Sequence, residues 1–554
     1  MMHGTMKLIW LPVAALMAVP SFAAPSTPDV LALAPKEAQV AIALPPISES
    51  LDEYVAFLNK VAPQLNVEAE LAEAVADLAR DAKVEGAESF EDVATARGLD
   101  ASKPSAAFLD FSKSLEPIRM AQKGDDGGEA AAGDAAAEEA PAEEEMPEPD
   151  APAWVSVYGV SDKAKVEELL KEVVANIPEL ASATVEAVEK GGQSVQVYGD
   201  YGYFITDSHA AIGSKDLLLA TADQWDVGRK VRYGSDDLPA NEHEIVALIY
   251  SDRFFPLLEE LLPALEMDDV ARSVAKAQLD QFKTSMASSD GEDPLVVTLT
   301  LSDGRADLRT RLDTKTHPGF LQQAGPASAL RYGKVLPKDT LAMLTIRLNE
   351  ETKKQLQEQL LPAIQEAGGQ GAAFAGPVIQ IIGEEITLGI AAVENDFPAA
   401  FLMIALADPE AAKGLLNMLV PTMPAETHAE EEIKSIAAPI PVPLAMATPG
   451  DTLLVSNNTD GMKKIIDLVK SNGTTEFFSS LGDPLAGDTP RYLAMLLKSA
   501  LITDVVVPLS ALGGGLPEDI APTVNQLTAS VDEVRYVYEL QENWATAQFT
   551  LYLK

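Results

Sequence analysis

Trp154-Val155-Ser156-Val157-Tyr158-Gly159-Val160 is followed by Asp162 and then by Val166, Leu169, Leu170, Val173 and Val174. Seven residues rich in β-branched and aromatic side chains read as a buried strand, and the later apolar residues recur at helical spacing and stack on one face. Asp162 stands where that helix begins, because its carboxylate accepts hydrogen bonds from first-turn amides that have no other partner. The same arrangement returns at Phe401-Leu402-Met403-Ile404-Ala405-Leu406, then Asp408, then Leu415, Leu416, Leu419 and Val420.

Four more pairs flank this one in the same order. Pro35-Lys36-Glu37 with Val40 to Leu44 matches Pro337-Lys338-Asp339 with Leu341 to Ile346, each a loop feeding a buried strand. Asp216 to Ala220 matches Asp451 to Val455, and Ile245 to Tyr250 matches Tyr492 to Leu497. A hairpin closes each half, turning at Asp303-Gly304 and at Glu542-Asn543. Five matches in one order predict a tandem duplication. Because each half closes with hairpins rather than crossovers, the expected class is α+β: two tandem homologous domains, each a mainly antiparallel sheet with helices packed on one face. The period is far longer than the roughly 20 to 50 residues of a solenoid repeat. The expected first domain covers 24–317 and the second 330–554. Between them Pro318, Gly319, Gly325 and Pro326 interrupt the pattern and mark 318–329 as a linker.

The chain has 554 residues, with 41 Lys and Arg against 85 Asp and Glu, for a net charge of −44. Such a surface repels nucleic acid and anionic lipid, which are bound by clustered bases. Cysteine is absent, which removes disulfides, thiolate metal sites and cysteine nucleophiles together. Lys7, the apolar run Leu8 to Val19 and the small residues of Ser21-Phe22-Ala23 read as a signal peptide over 1–23 with cleavage after Ala23. Twelve residues rise only about 18 Å as a helix, too little for a hydrocarbon core of about 30 Å. The apolar run Phe397 to Ala407 is also too short to span, and the expected location is periplasmic or secreted. Gly124 to Asp150 holds eleven acids and no base, with Ala, Gly and Pro filling most of the rest, and is expected to be a disordered acidic insertion. Weak, many-site binding of divalent cations is the one metal role expected there.

The opening Pro-Lys-acid loop with its strand, and the later strand ending in a capped helix, resemble exported bacterial proteins classed as domains of unknown function. That resemblance implies export and the α+β architecture, and supplies no catalytic residue.

No catalytic signature occurs. After export the histidines are His209, His243, His317 and His428, far apart in sequence. His243-Glu244 opens like a zinc-protease helix, but Ala247 stands where the second ligand belongs. Gly513-Gly514-Gly515 is a turn before Pro517, not a phosphate cradle with a following Lys. Ser456, Asn458, Asp460, Gly461 and Asp467 imitate a calcium loop, yet the first Asp is a serine and Lys464 takes a ligand position, so a capped helix from Thr459 to Lys470 explains them better. Acidic pairs such as Asp236-Asp237 follow from acid density alone. No cofactor is expected.

Two stretches are candidates for partner contact. From Arg305 to Lys315 the odd positions are Arg305, Asp307, Arg309, Arg311, Asp313 and Lys315, so the segment reads as a strand with one wet, base-rich face able to dock an anionic partner. Interleaved Asp residues that neutralise the row are the structural alternative. The second is Trp225 with Arg229, Lys230, Arg232 and Tyr233, where aromatic and base at helical spacing stack or meet a ligand. The functional expectation is an exported, non-catalytic periplasmic binding or scaffold protein of the bacterial envelope. The rivals are a carrier of an apolar ligand such as lipid, motivated by Phe397 to Ala407, and a hydrolase whose carboxylates form no recognisable motif.

Overall fold

The structure, a computed structural model, describes residues 30–61, 66–117, 151–225, 244–262, 267, 269–288, 293–302, 304–317, 329–350, 353–354, 381–394, 397–419, 425–436, 444–481, 485, 491–507, 528–541 and 544–554. The signal peptide, the acidic insertion 124–150 and linker positions 318–328 fall outside these. The chain mixes helices and strands around a large antiparallel sheet. It divides into two compact units, Met1–Asp303 with Thr316–Pro318, and Gly304–Lys315 with Gly319–Lys554.

Among the described residues nine strands belong to the first unit: β1 (Val40–Leu44), β2 (Ser105–Asp110), β3 (Ala153–Gly159), β4 (Val185–Lys190), β5 (Gln193–Tyr198), β6 (Tyr201–Ile205), β7 (His209–Ser214), β8 (Glu244–Ile249) and β9 (Leu295–Ser302). They pair antiparallel throughout in the order β9-β8-β1-β2-β3-β7-β6-β5-β4. The expected strand at Trp154 is β3, and Val155 and Val157 are fully buried. Helix α1 (Lys163–Asn176) follows, with Asp162 Oδ1 accepting from the amides of Ala164 at 3.1 Å and Lys165 at 3.3 Å. It buries Val166, Leu170 and Val174 against Tyr198, Tyr203 and Ala210. Helix α2 (Lys215–Gln224) instead packs Leu217, Leu218 and Ala222 with Val197, Phe204 and Ala211. Tyr203 and Phe204 are consecutive strand residues and so face opposite ways. Helices therefore cover both faces of this sheet, which corrects the expectation of a single covered face.

Among the described residues the second unit has eleven strands: β10 (Arg305–Asp313), β11 (Thr340–Arg347), β12 (Ile382–Glu394), β13 (Phe397–Leu406), β14 (Ala425–His428), β15 (Glu431–Ile436), β16 (Leu444–Ala447), β17 (Thr452–Ser456), β18 (Arg491–Lys498), β19 (Val531–Gln541) and β20 (Trp544–Leu553). Their order is β10-β20-β19-β18-β11-β12-β13-β17-β16-β15-β14, again antiparallel throughout. From β19 to β14 this repeats the order from β9 to β4 strand for strand. Asp408 caps helix α3 (Pro409–Leu419) through the Ala411 amide at 2.9 Å. Asn458 caps helix α4 (Thr459–Ser471) through the Gly461 amide at 2.8 Å, which gives the calcium-like stretch its structural role. Met462, Ile465 and Ile466 of α4 close the core over Phe401, Met403 and Leu454.

Two sequence assignments move. Asp216 to Ala220 lies in α2, whereas its sequence match Asp451 to Val455 runs into β17; the strand occupying the β17 position in the first unit is β7. The segment Gly304–Lys315, read as the end of the first half, belongs with the second unit, where β10 pairs with β20 from Arg305–Tyr552 to Asp313–Trp544.

Candidate functional site

The sheet of the second unit carries a different surface on each side. On the side away from the α4 core, one cross-strand row runs through Leu308, Phe549, Tyr536, Met495, Leu344 and Leu388 and continues into Leu402 and Val455. Leu308 is 41% exposed, Phe549 38% and Leu388 40%, and Leu497 in the adjoining row is 37% exposed. Strands about 4.8 Å apart place the six residues from Leu308 to Leu388 across roughly 24 Å without a charge. Folded chains rarely leave an apolar patch of several hundred Å² open unless something binds there.

The opposite side changes character along the sheet. Over β11 to β17 it is the apolar core, and over β18, β19, β20 and β10 it turns polar yet stays buried: Asp307, Gln548, Thr550, Glu533, Glu539, Thr546 and Arg491 are all under 9% exposed. Asp307 accepts from Gln548 Nε2 at 3.0 Å and Thr550 Oγ1 at 2.6 Å, and pairs with Arg305 Nε at 2.6 Å. Arg305 and Arg535 flank the Tyr552 ring at 5.5 and 4.6 Å, and Arg535 also pairs with Glu533. The odd residues of β10 do share one face, as expected. At Asp307 that face is buried, and Leu308 is the exposed residue, so the wet-face expectation is reversed there. The reason lies in the partner strand, whose Gln548 and Thr550 satisfy the Asp307 carboxylate and remove the cost of burying it.

Sequence reading passed over Glu385 on β12. Its side chain is 2% exposed and accepts from the amides of Arg331, at 3.0 Å to each oxygen, and of Tyr332 at 2.8 Å. Arg347 Nη1 lies 3.3 Å away. Burial pushes this carboxyl above the ordinary Glu value, against the lowering pull of the two amides and of the Arg347 and Arg331 charges. Arg331 also grips Asp451 through both guanidinium nitrogens, and Thr452 Oγ1 donates to the Tyr332 hydroxyl at 3.0 Å. With its oxygens engaged, Glu385 clamps the entry of residues 331–332 onto the sheet. The signal was present in the alternation of β12, where Glu385 falls in phase with the buried Thr387 and Ala391 while Glu384 faces out.

In the first unit Trp225 follows α2 and rests edge-on against Phe204, ring centroids 4.9 Å apart, and against His209 at 5.9 Å. Arg229 and Arg232 lie outside the described residues. His209 Nδ1 is 2.9 Å from Ser208 Oγ, and burial, with Lys103 nearby, holds the ring below the ordinary His value. Trp225 is thus a packing residue of the first unit's core. Among the described residues no group of three or more His, Asp or Glu side chains is arranged to hold a metal ion, and no helix is long and apolar enough to cross a membrane.

The fold and these surfaces define a mixed helix-and-strand protein built on antiparallel sheet. No protein-family model and no curated protein matches the chain. Among solved structures it is similar to chains described as crystal forms IV, I and III of TP0453, at 10%, 8% and 8% identity. These alignments cover 40%, 51% and 60% of this chain and 80%, 78% and 86% of those, with TM-scores of 0.24, 0.20 and 0.22. Likenesses at that level carry no argument about fold or function.

Proposed function

We propose that the chain is an exported, non-catalytic binding protein made of two copies of one module joined by duplication, and that the second copy carries an apolar ligand, the acyl chain of a lipid, on the side of its sheet away from α4. The observation that supports this is the uncharged row from Leu308 to Leu388. Its composition favours acyl chains over a protein partner: protein interfaces concentrate energy in Trp, Tyr and Arg, with Leu under-represented, and this row is mainly Leu and Met, with Phe549 and one Tyr, Tyr536. A second copy of the chain is disfavoured by a net charge of −44 on each. An acyl chain that buries about ten methylenes gains roughly 8 kcal/mol of transfer free energy, from which the cost of immobilising it is subtracted. Export is supported by Lys7, Leu8 to Val19 and Ala23, and the repeated strand order supports the duplication.

Native mass spectrometry of protein taken from its own envelope, together with titration by a fluorescent fatty acid, tests the reading. Retained lipid and saturable uptake are expected, with uptake lost in the Leu388→Glu, Phe549→Glu double variant and kept in Val185→Glu, a control at an exposed residue of β4. Absence of uptake, or uptake indifferent to the double variant, overturns the carrier. A retained partner chain in its place would favour a scaffold. Turnover of any ester, glycoside, peptide or phosphate substrate that one Asp or Glu substitution abolishes would establish a hydrolase instead.

A further inference from the structure

We propose that Arg309, on the polar side of the second unit's sheet, is the centre of an oxyanion-binding site that takes the two-oxygen edge of a carboxylate or phosphate group. The side chain is half-buried at the middle of β10, directly opposite Gln548 of β20. Its Nε–H is buried and meets no acceptor among the described residues. A buried donor left unmade forfeits the hydrogen bond it had in water, and here, unlike Arg305, no carboxylate of the described residues stands beside the side chain to offset that loss.

The polar groups beside it on β10 and β20 are already engaged. Asp307, the nearest acid on the same strand and face, is held by Arg305, Gln548 and Thr550. The amide of Gln548 is spent on Asp307 and on Thr550 Oγ1 at 3.2 Å. Arg305 is committed to Asp307 and the Tyr552 ring, and Arg311 has an interaction of its own. Arg309 is therefore the guanidinium of this row whose planar fork has no counter-charge among the described residues. A guanidinium edge meets carboxylate and phosphate oxygens two at a time, which a point-charge ammonium does not do. The inference concerns the side of the sheet opposite the apolar row and stands whether or not that row binds lipid.

The test is calorimetric titration of the full-length exported protein with two probes, inorganic phosphate and a hexaglutamate peptide. One probe is expected to bind saturably at a single site; the peptide identifies a carboxylate source and inorganic phosphate a phosphate source. Arg309→Gln is expected to weaken that binding at least tenfold. Arg309→Lys, which keeps the charge but lacks the fork, is expected to weaken it severalfold, and Lys413→Gln, a remote surface lysine, to leave it unchanged. No binding by either probe, or binding that Arg309→Gln leaves intact, overturns the assignment. If the Gln variant does not fold, unchanged affinity in Arg309→Lys overturns it alone.

Discussion

Glu385→Ala removes the carboxylate that receives the Arg331 and Tyr332 amides and faces the 9%-exposed Arg347 guanidinium. Arg347 keeps its bond to Glu384 at 2.8 Å, but the two amides lose their acceptor, at about 1–3 kcal/mol each. For a domain of this size each kcal/mol lowers the melting temperature by about 2–4 °C, so the second unit's transition is expected to fall by roughly 4–24 °C in scanning calorimetry. Glu385→Gln retains one acceptor oxygen and is expected to cost less. It also differs in pH dependence. Burial raises the folded carboxyl above the ordinary value of 4.5, so the folded state holds the proton more tightly than the unfolded chain. That contribution is complete below pH 4.5 and is lost as pH rises through the folded value. The Gln variant has no such proton, and its deficit against the intact protein should shrink as pH rises above 4.5. A fall of less than about 3 °C in Glu385→Ala, or a Gln deficit that widens with pH, would refute the clamp.

His209 shows the opposite sense: its depressed value means stability is lost as pH falls below the ordinary 6.5, and His209→Gln should flatten that acid limb in denaturant titrations between about pH 7 and pH 5. Asp162→Ala should cost about 1 kcal/mol through loss of the α1 cap, and Asp162→Asn much less; equal costs would locate the effect elsewhere. A chain beginning at Gly304 should melt above one beginning at Ser328, since the shorter one lacks β10 and leaves Gln548 and Thr550 without Asp307; coincident melting curves by circular dichroism would contradict this. Replacing Gly124 to Pro149 with a short Gly/Ser linker should leave the melting temperature nearly unchanged, because closure entropy varies by only about 0.6 kcal/mol per doubling of loop length.

The capped strand-helix pairs at Asp162 and Asp408 were legible in sequence because cap and spacing are local properties. What misled was Leu217-Leu218-Leu219-Ala220, an apolar run too short for periodicity to separate strand from helix. The true counterpart of β17 is His209 to Ser214, a weak strand signal of small residues. Gly213 is small by necessity, since a Cβ there would lie 2.1 Å from the Trp154 carbonyl oxygen on the adjacent strand. The pairing of β10 with β20 was beyond reach of any local pattern, since the two strands lie far apart in the sequence. The candidate row Arg305, Arg309 and Arg311 was found by alternation, but alternation cannot tell which side is buried when the buried side is polar. Glu385 was visible only as an acid in the inward phase of its strand.

The pairing of β10 with β20 also sets a timetable. Asp307 and Gln548 are 241 residues apart. At roughly 5–20 residues per second of synthesis, β10 emerges some 10–50 s before the strand that completes it exists. Throughout that interval its Leu308 and its free backbone edge are open to any passing strand, and the acid and bases alternating along it are the kind of charges that discourage such pairing. The residues that later knit into the polar array thus serve first as chaperones of their own strand, and the C-terminal hairpin is the event that ends the wait.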